Sequence, residues 1–229
     1  MQITFLGHSG FRIDIAGQVL LIDPWFTGNP AADGDREAEA ISGATHILLT
    51  HGHGDHASDA RRIARETGAP ILCIHELAER WGSEDGVETL GFGKGGTVSA
   101  GDVQVTMVNA VHSSSVDFDG LGVAGSECGF MIAGEGHTIY VSGDTDIMAD
   151  MEWMGDLHDP DIGLMCCGGH YTMDQSRLAY AANRWFNFKT LIPCHWGTFP
   201  ILAQDCQTLI KALPDVDVRV LEVMESTTL

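Results

Sequence analysis

Short apolar runs, each closed by a turn, alternate with polar stretches along the first half of the chain. Runs of this length and spacing predict strands at residues 3–6, 11–15, 19–22, 47–49 and 71–74. The segment 59–67 instead predicts a helix, with Ser58 as its N-cap and Gly68 as the residue that ends it. Residues 28–43 are polar and rich in glycine and alanine, and they predict an irregular connection. Residues 75–81 predict a short helix.

The second half of the chain has strands first and an alternation of strands and helices afterwards. Strands are predicted at residues 87–90, 97–99, 103–108, 130–132, 138–141, 162–165, 191–194 and 216–223. Helices are predicted at residues 147–154, 173–186 and 201–213. Thr172 and Gln175 have the spacing of a capping box at the start of the second of these helices. Two packed sheets with helices outside fit this order, and a single domain over residues 1–229 is predicted because no segment is long enough to link two domains.

Composition and charge narrow the class of protein. Hydrophobic residues make up 44% of the chain, which is enough for a real core. The net charge of −20 disfavours binding to polynucleotides, so no nucleic-acid partner is expected. The six cysteines include no CxxC pair, which predicts buried free thiols in a reducing compartment. No segment has the length of a membrane helix or the pattern of a signal peptide, so a cytoplasmic location without a membrane partner is expected.

Four side chains that can bind a metal ion occur within six residues, from His51 to His56. His51 and His53 lie two positions apart just beyond a predicted strand, so both imidazoles can point the same way and reach one ion. Asp55 and His56 come from the turn into the next helix and can reach a second ion. A flexible loop that happens to contain histidines is the alternative, but clustered histidine and aspartate at this spacing is a specific signal of metal binding.

Three further candidate ligands, His112, Asp144 and His195, each follow the end of a predicted strand. Loops at one end of a strand scaffold are where sites are usually built, so these side chains are expected to meet the cluster at His51 to His56. Taken singly, each is more often a hydrogen-bonded polar residue or a turn former. Their joint arrangement with the cluster favours metal binding.

The chain as a whole resembles the metallo-β-lactamase superfamily. More narrowly, it resembles the branch of small metal-dependent hydrolases of mostly unassigned substrate, akin to the L-ascorbate-6-phosphate lactonase-like proteins. The segments that carry the resemblance are residues 6–11, 22–25, 51–56, 112–114, 142–144, 168–173 and 194–200. The resemblance implies a four-layer αββα sandwich of the α+β class, with the site at one edge between the sheets.

The resemblance also implies a binuclear metal centre. It assigns His51, His53 and His112 to one ion, Asp55, His56 and His195 to the other, and Asp144 to a bridging position. Zinc is the first expectation, and manganese, iron or nickel also suit histidine and aspartate ligands. In the di-iron oxygen-reducing relatives an acid replaces the second histidine of the motif, so His53 argues against a redox role. The hypothesis is a hydrolase in which a hydroxide bridging the metals attacks a small-molecule lactone, ester or phosphoester, with Asp55 orienting it and shuttling a proton.

Three other residues near the predicted strand ends are candidates with a weaker signal. His8 is expected to contact either the substrate or the ligand loop, or else to be a loop histidine that bonds to the backbone. Asp23 is expected to accept the free N–H of a ligand imidazole and so fix its orientation, or else to be a simple turn residue before Pro24. His170, which precedes a predicted helix, helps to bind an anionic group of the substrate at the helix N-terminus, or else belongs only to a strand-to-helix turn.

Two other functional classes compete with the small-molecule hydrolase. A nuclease or phosphodiesterase that acts on nucleic acid would need a basic docking surface or an added domain, and the sequence has neither. A non-catalytic metal-binding protein would have no physical need for a complete set of inward-facing ligands. The resemblance also allows a homo-oligomer.

Overall fold

Two seven-stranded sheets form the centre of the molecule. The computed structural model describes residues 1–85, 87–118, 120 and 122–229. The first sheet contains β1 (Gln2–Gly7), β2 (Gly10–Ile15), β3 (Gln18–Ile22), β4 (His46–Leu48), β5 (Ile71–Ile74), β6 (Thr89–Phe92) and, at its edge beside β1, β16 (Ser226–Thr228). Strands β1 to β3 are antiparallel neighbours, whereas β3 to β6 run parallel. The carboxyl ends of these parallel strands therefore meet at one edge of the sheet.

The second sheet has the same design. It contains β7 (Thr97–Ala100), β8 (Val103–Asn109), β11 (Cys128–Gly134), β12 (His137–Val141), β13 (Ile162–Cys166), β14 (Thr190–Cys194) and β15 (Asp217–Val218). Its strands β12 to β15 are parallel and its strands β7, β8, β11 and β12 are antiparallel. A separate hairpin of β9 (Ser115–Val116) and β10 (Gly122–Val123) lies between β8 and β11 in the chain.

Helices form the outer layers. They are α1 (Glu37–Ile41), α2 (Gly54–Ala57), α3 (Ala60–Thr67), α4 (His75–Asp85), α5 (Asp150–His158), α6 (Gln175–Trp185) and α7 (Gln207–Ala212). Helices α3 and α4 pack on the first sheet, while α5, α6 and α7 pack against one another. One continuous core of buried apolar residues joins both sheets and both helix layers. The predicted four-layer αββα sandwich is confirmed.

Two predictions about helix ends need correction. Ser58 is not the N-cap of the predicted helix, since it ends α2 and the next helix begins at Ala60. Gly68 ends that helix as predicted, with a left-handed φ of 76°. The capping box at Thr172 is wrong, because the carboxylate of Asp174 caps α6 by accepting a hydrogen bond from the backbone N–H of Arg177.

Three predicted elements differ in extent. The helix at 201–213 is reduced to α7, because residues 199–205 form a turn in which the Gln204 amide donates to the carbonyls of Phe199 and Leu202. The strand at 216–223 is reduced to β15. The connection at 28–43, predicted to be irregular, contains α1 and a short 3₁₀ helix at Gly34–Arg36.

Two predictions made from composition can be compared directly with the structure. All six cysteines are buried free thiols, which confirms their predicted state. Within the described ranges, no helix combines the length and the apolar character that crossing a membrane requires.

Candidate metal centre

The strand ends bring all seven predicted ligands to one edge of the two sheets. They are His51 and His53 after β4, Asp55 and His56 in α2, His112 after β8, Asp144 after β12, and His195 after β14. Three of the strands, β4, β12 and β14, run parallel to a neighbour, and β8 runs in the same direction as β12 because both are antiparallel to β11, so the carboxyl ends of these strands open toward the same side. The reason for the cluster is topological. His51, His112, Asp144 and His195 each come one to three residues after a buried strand, and His53, Asp55 and His56 follow His51 directly in the chain.

The first group consists of His51, His53 and His112, whose ligand atoms all lie within 4.8 Å of one another. The Nε2 atom of His51 is 3.0 Å from Nδ1 of His53. The His112 ring lies across both, with its centroid 5.3 Å from that of His51 and 5.2 Å from that of His53. These are the three histidines that the resemblance assigns to one ion.

The second group contains Asp55, His56 and His195 together with His8, and its ligand atoms also lie within 4.8 Å of one another. Asp144 joins the two groups. Its Oδ2 atom is 3.0 Å from Nε2 of His195 and 3.4 Å from Nε2 of His56 in the second group. The same oxygen is 3.6 Å from Nε2 of His112 in the first.

The spacing of these atoms fits metal ligation. Two nitrogens bound to one zinc ion at about 2.0–2.1 Å in tetrahedral geometry lie about 3.3 Å apart. The His51–His53 pair and the three pairs of Asp144 with His56, His112 and His195 have ligand atoms 3.0–3.6 Å apart. In addition, His56 Nε2 and Asp144 Oδ1 are buried without a hydrogen-bond partner among the described residues. Buried polar atoms rarely remain unpaired, so a cation at this place gives these two atoms a partner.

Burial favours the neutral form of two of the histidine ligands, His51 and His112. Burial holds the pKa of His51 well below its ordinary value, and burial also lowers the pKa of His112. His56 differs: burial lowers its pKa, but the carboxylates of Asp144 and Asp55 outweigh burial and raise it well above the ordinary value. Burial likewise opposes ionisation of Asp144, yet His195 and His56 keep the pKa of its carboxyl group well below its ordinary range. Metal binding would therefore replace a proton on His56.

Asp23 fixes the orientation of one histidine in each group. Its Oδ2 atom accepts a hydrogen bond from Nδ1 of His56 at 2.8 Å and another from the Thr50 hydroxyl at 2.6 Å. Because the Thr50 proton is used in this way, the Thr50 oxygen accepts from Nδ1 of His51, 3.0 Å away. Both imidazoles therefore direct the lone pair of Nε2 into the site, which is the arrangement that the predicted role of Asp23 requires.

His8 lies beneath the site rather than at its mouth. The side chain is 1% exposed and lines no part of the cavity described below, so direct contact with a substrate does not fit its position. Burial lowers the pKa of His8 to about 4, although the hydrogen bond to Asp55 opposes this shift. The neutral ring donates from Nε2 to Oδ2 of Asp55 at 3.1 Å and accepts at Nδ1 from the Thr198 hydroxyl at 2.9 Å. His8 thus contacts a predicted catalytic residue.

His170 lies outside the group. It is exposed, its ring contacts Tyr171, and it is not among the residues that line the cavity over the ligands. The predicted anion site at the helix N-terminus does not fit either, because the Asp174 carboxylate already caps α6 there. The neighbouring Tyr171, which sequence reasoning missed, lines the cavity instead.

A cavity of about 270 Å³ opens over the ligands. It is lined by His53, Asp55, His112, Ser113, Asp117, Asp144, Tyr171 and His195. The segment that carries the β9–β10 hairpin approaches the ligand loop closely: a Cβ atom on Gly52 would lie 2.6 Å from Cβ of Ala124, so only glycine fits there. The Ser114 hydroxyl accepts a hydrogen bond from the Gly52 backbone N–H at 3.2 Å.

Backbone strain marks the same edge. His8, Asp23, His170 and His195 all have a positive φ, between 42° and 58°, in a region that residues other than glycine seldom occupy. Such residues cluster at functional sites, where the surrounding structure holds them in place. The positive φ of these four residues could not be predicted from the sequence, because glycine, the residue that most often adopts a positive φ, stands at none of these positions.

Comparison with known proteins agrees with this geometry. A family model described as Beta-lactamase superfamily domain matches residues 18–196, a span that includes all seven predicted ligands. A UPF0173 metal-dependent hydrolase of Dinoroseobacter shibae is 61% identical over the full length of both chains. Another protein of that description, from Paracoccus denitrificans, is 60% identical over 98% of each chain.

The fold is also similar to that of a solved structure. Igni18, described as a metallo hydrolase from the archaeon Ignicoccus hospitalis, superposes with a TM-score of 0.87 at 30% sequence identity. The match covers 99% of this chain and 97% of Igni18. The superfamily resemblance inferred from the motifs is confirmed by these matches.

Proposed function

The chain belongs to the beta-lactamase superfamily, among the UPF0173 metal-dependent hydrolases, and from this premise we propose that it hydrolyses a small-molecule ester, lactone or phosphoester at a binuclear metal centre. One observation carries the proposal: a single oxygen of Asp144 lies within 3.6 Å of histidines from both ligand groups. A carboxylate in this position suits a bridge between two cations. Zinc is the first candidate for both positions, and manganese, iron and nickel are the others.

The side chains around the centre have separate tasks. When bound, two divalent cations supply Lewis acidity and bring the pKa of water to about 7. Asp55 lines the cavity, and its Oδ2 atom accepts a hydrogen bond from His8. This hydrogen bond fixes the orientation of the carboxylate in the cavity wall. Burial raises the pKa of Asp55, but His56 and then His8 outweigh burial and lower it overall, so the group is ionised and can accept a proton. Its proposed role is to orient the attacking water and to carry a proton to the leaving group.

The size and charge of the cavity favour a small substrate over a polynucleotide. The cavity over the ligands measures about 270 Å³, and none of its lining residues is a lysine or arginine. The net charge of −20 adds long-range repulsion of a phosphate backbone. A nuclease would require basic docking residues around this opening.

Hydrolysis can be tested with protein that has been stripped by chelator and reloaded with one metal at a time. The reloaded protein is expected to hydrolyse at least one of a panel of p-nitrophenyl esters, aryl lactones and phosphoesters, and the stripped protein none. A reloaded protein that holds its metal and leaves every substrate intact would contradict the proposed function.

Removing the carboxylate of Asp23 is expected to weaken metal binding in both groups. The Asp23→Ala variant should bind metal about 10- to 100-fold more weakly, because His56 loses its acceptor and His51 loses the ordered Thr50 hydroxyl. Competition with a chromophoric chelator measures this change. The Thr50→Val variant breaks only the branch to His51 and is expected to weaken one site.

Asp161 provides a matched control for Asp23. It accepts hydrogen bonds from Nδ1 of His137 at 2.8 Å and from a threonine backbone N–H at 3.1 Å, in the same pattern but outside the ligand groups. The Asp161→Ala variant should lose stability without losing metal affinity. Equal metal affinity in the Asp23→Ala and Asp161→Ala proteins would contradict an orienting role for Asp23.

Replacement of His8 by asparagine is expected to lower kcat about tenfold while KM stays nearly constant. The reason is that His8 holds Asp55 and does not reach the cavity. Steady-state kinetics on metal-loaded protein measures both constants, and metal content is measured on the same samples. A raised KM with unchanged kcat would instead favour the direct substrate contact, and loss of one metal per chain would make His8 a ligand.

A further inference from the structure

We propose that the substrate is an uncharged carboxylic ester or lactone whose acyl part is an apolar chain or ring, held in a groove beside the metal centre. The inference rests on the proposed function and narrows its substrate class. It comes from a second cavity, of about 470 Å³, that adjoins the one over the ligands. The two cavities share Asp55, Asp117 and Tyr171 in their walls, so a molecule whose reacting group lies at the ligands can extend into the second.

The walls of this second cavity, here named the apolar groove, are formed mainly by Trp25, Tyr171, Phe199 and Ile201. Tyr171 and Ile201 are 56% and 54% exposed, and they line the same cavity as Trp25 and Phe199, so the four side chains form an apolar patch and are not isolated exposed residues. Trp25 is only 9% exposed and packs against Phe199, with ring centroids 6.2 Å apart. The groove therefore has a fixed aromatic floor and an exposed apolar rim.

The Trp25 side of the groove is held in place before any ligand binds. The indole N–H of Trp25 donates to the carbonyl of Thr27. The Asp59 carboxylate accepts hydrogen bonds from the backbone N–H groups of Phe26 and Thr27 at 2.8 and 2.7 Å. A preformed apolar wall binds an apolar group without ordering a loop at the same time, so little of the binding energy is lost.

Charge on the walls selects against anionic substrates. The carboxylates among the described residues that line the two cavities are Asp55, Asp117 and Asp144, and none of those described lining residues is a lysine or arginine. Asp117 lies at the junction of the cavities, and its Oδ1 would be 3.2 Å from a Cβ atom placed on Gly54. A negative charge on the acyl chain, as in a dicarboxylic half-ester, would lie in the groove close to this carboxylate and away from the cations at the ligands.

The reaction on such a substrate is balanced with water alone. The water oxygen bonds to the acyl carbon, and the bond from that carbon to the leaving oxygen breaks. One proton of the water reaches the leaving alcohol through Asp55, and the other is released to solvent from the carboxylic acid product. The acyl chain in the apolar groove holds the carbonyl carbon over the ligands during both events.

The test uses p-nitrophenyl acetate, butyrate and hexanoate, the p-nitrophenyl monoester of succinic acid, and p-nitrophenyl phosphate, on metal-loaded protein. We expect kcat/KM to rise about threefold for each CH₂ group added between acetate and hexanoate. The succinate monoester, which matches butyrate in the length of its acyl carbon chain, should be a poorer substrate than butyrate. Phosphate should be the poorest of the series.

Variants connect this preference to the groove. Ile201→Ala should lower kcat/KM about tenfold on hexanoate and much less on acetate, because Ile201 lines only the apolar groove and only the longer chain reaches it. Asp117→Asn should raise kcat/KM on the succinate monoester about fivefold, more at low salt than at high salt. Leu157→Ala is the control, since this leucine is 71% exposed on α5 and lines neither cavity.

Binding of an uncharged, unreactive ketone separates the groove from the chemistry. We expect 2-octanone to bind at least tenfold more tightly than 2-butanone, measured by tryptophan fluorescence, and Ile201→Ala to remove the difference. Hydrolysis that is independent of acyl length, together with equal ketone affinities, would overturn the apolar groove and leave the proposed function standing. Length-dependent ketone binding without hydrolysis of any substrate would overturn the proposed function and support the groove.

Discussion

Replacing Asp144 with asparagine is expected to lower kcat/KM about 1000-fold or more and to reduce the metal content from about two ions per chain to one or fewer. The cause is the position of Oδ2, which lies 3.0 Å from His195, 3.4 Å from His56 and 3.6 Å from His112. A neutral amide removes the negative charge of the carboxylate whose Oδ2 atom lies between histidines of the two ligand groups. Metal analysis and steady-state kinetics on the same protein samples measure both effects.

Asp146 offers a matched control in the same loop. Its carboxylate lies at the surface and pairs with the guanidinium of Arg177, away from the ligands. The Asp146→Asn variant is expected to keep the wild-type metal content and a kcat/KM within about twofold, since surface ion pairs contribute little. If Asp144→Asn behaved like Asp146→Asn, the bridging position of Asp144 would be wrong.

The second large effect is expected for Asp55. The Asp55→Asn variant should lose about 100- to 1000-fold in kcat, because an amide can neither accept the proton of the attacking water nor return one to the leaving group. His8 keeps its contact with the side-chain oxygen of the amide, so the position of the side chain should change little. Stopped-flow or steady-state assays on metal-loaded protein measure the loss.

The leaving group separates proton transfer from metal binding at Asp55. An ester of p-nitrophenol needs little protonation as the bond breaks, whereas an ester of ethanol needs a proton. The loss in Asp55→Asn is therefore expected to be at least tenfold larger for ethyl hexanoate than for p-nitrophenyl hexanoate. Equal losses on both esters would mean that Asp55 acts only as a ligand.

The metal ligands could be predicted because their positions depend on short-range sequence. His51, His53, Asp55 and His56 lie within six residues after one strand, so their proximity follows from the chain itself. His112, Asp144 and His195 each follow a strand by one to three residues, and parallel strands bring such residues to one edge. The motifs could not predict the contact between the two ligand groups, because that contact depends on how the two sheets pack.

Residues that act through long-range contacts were harder to interpret. His8 contacts Asp55 across 47 positions of sequence and Thr198 across 190, and no local pattern encodes either pair. From the sequence alone, its position after a strand allowed contact with substrate, contact with the ligand loop or a bond to the backbone, and the hydrogen bond to Asp55 fits the second of these. Asp23 could be proposed as an orienting residue, but its link to His51 through Thr50 is visible only in three dimensions.

Local competition between side chains explains the errors around His170. Two residues just before α6, Thr172 and Asp174, have side chains that can cap a helix. The spacing of Thr172 and Gln175 predicted Thr172 as the cap. In the folded chain Asp174 caps the helix, and the Thr172 hydroxyl donates to the carbonyl of Met173. The same cap occupies the helix end that had been assigned to a substrate anion, and it is Tyr171 that faces the cavity.

Metal content of the wild-type protein, purified without chelator and measured by mass spectrometry beside the His51→Ala variant, tests the central claim most directly. We expect about two divalent ions per wild-type chain and at most one in the variant, with far-ultraviolet circular dichroism unchanged between them. A wild-type protein that is well folded and binds no metal after reloading would contradict the account, because the convergence of these seven side chains would then serve no ion.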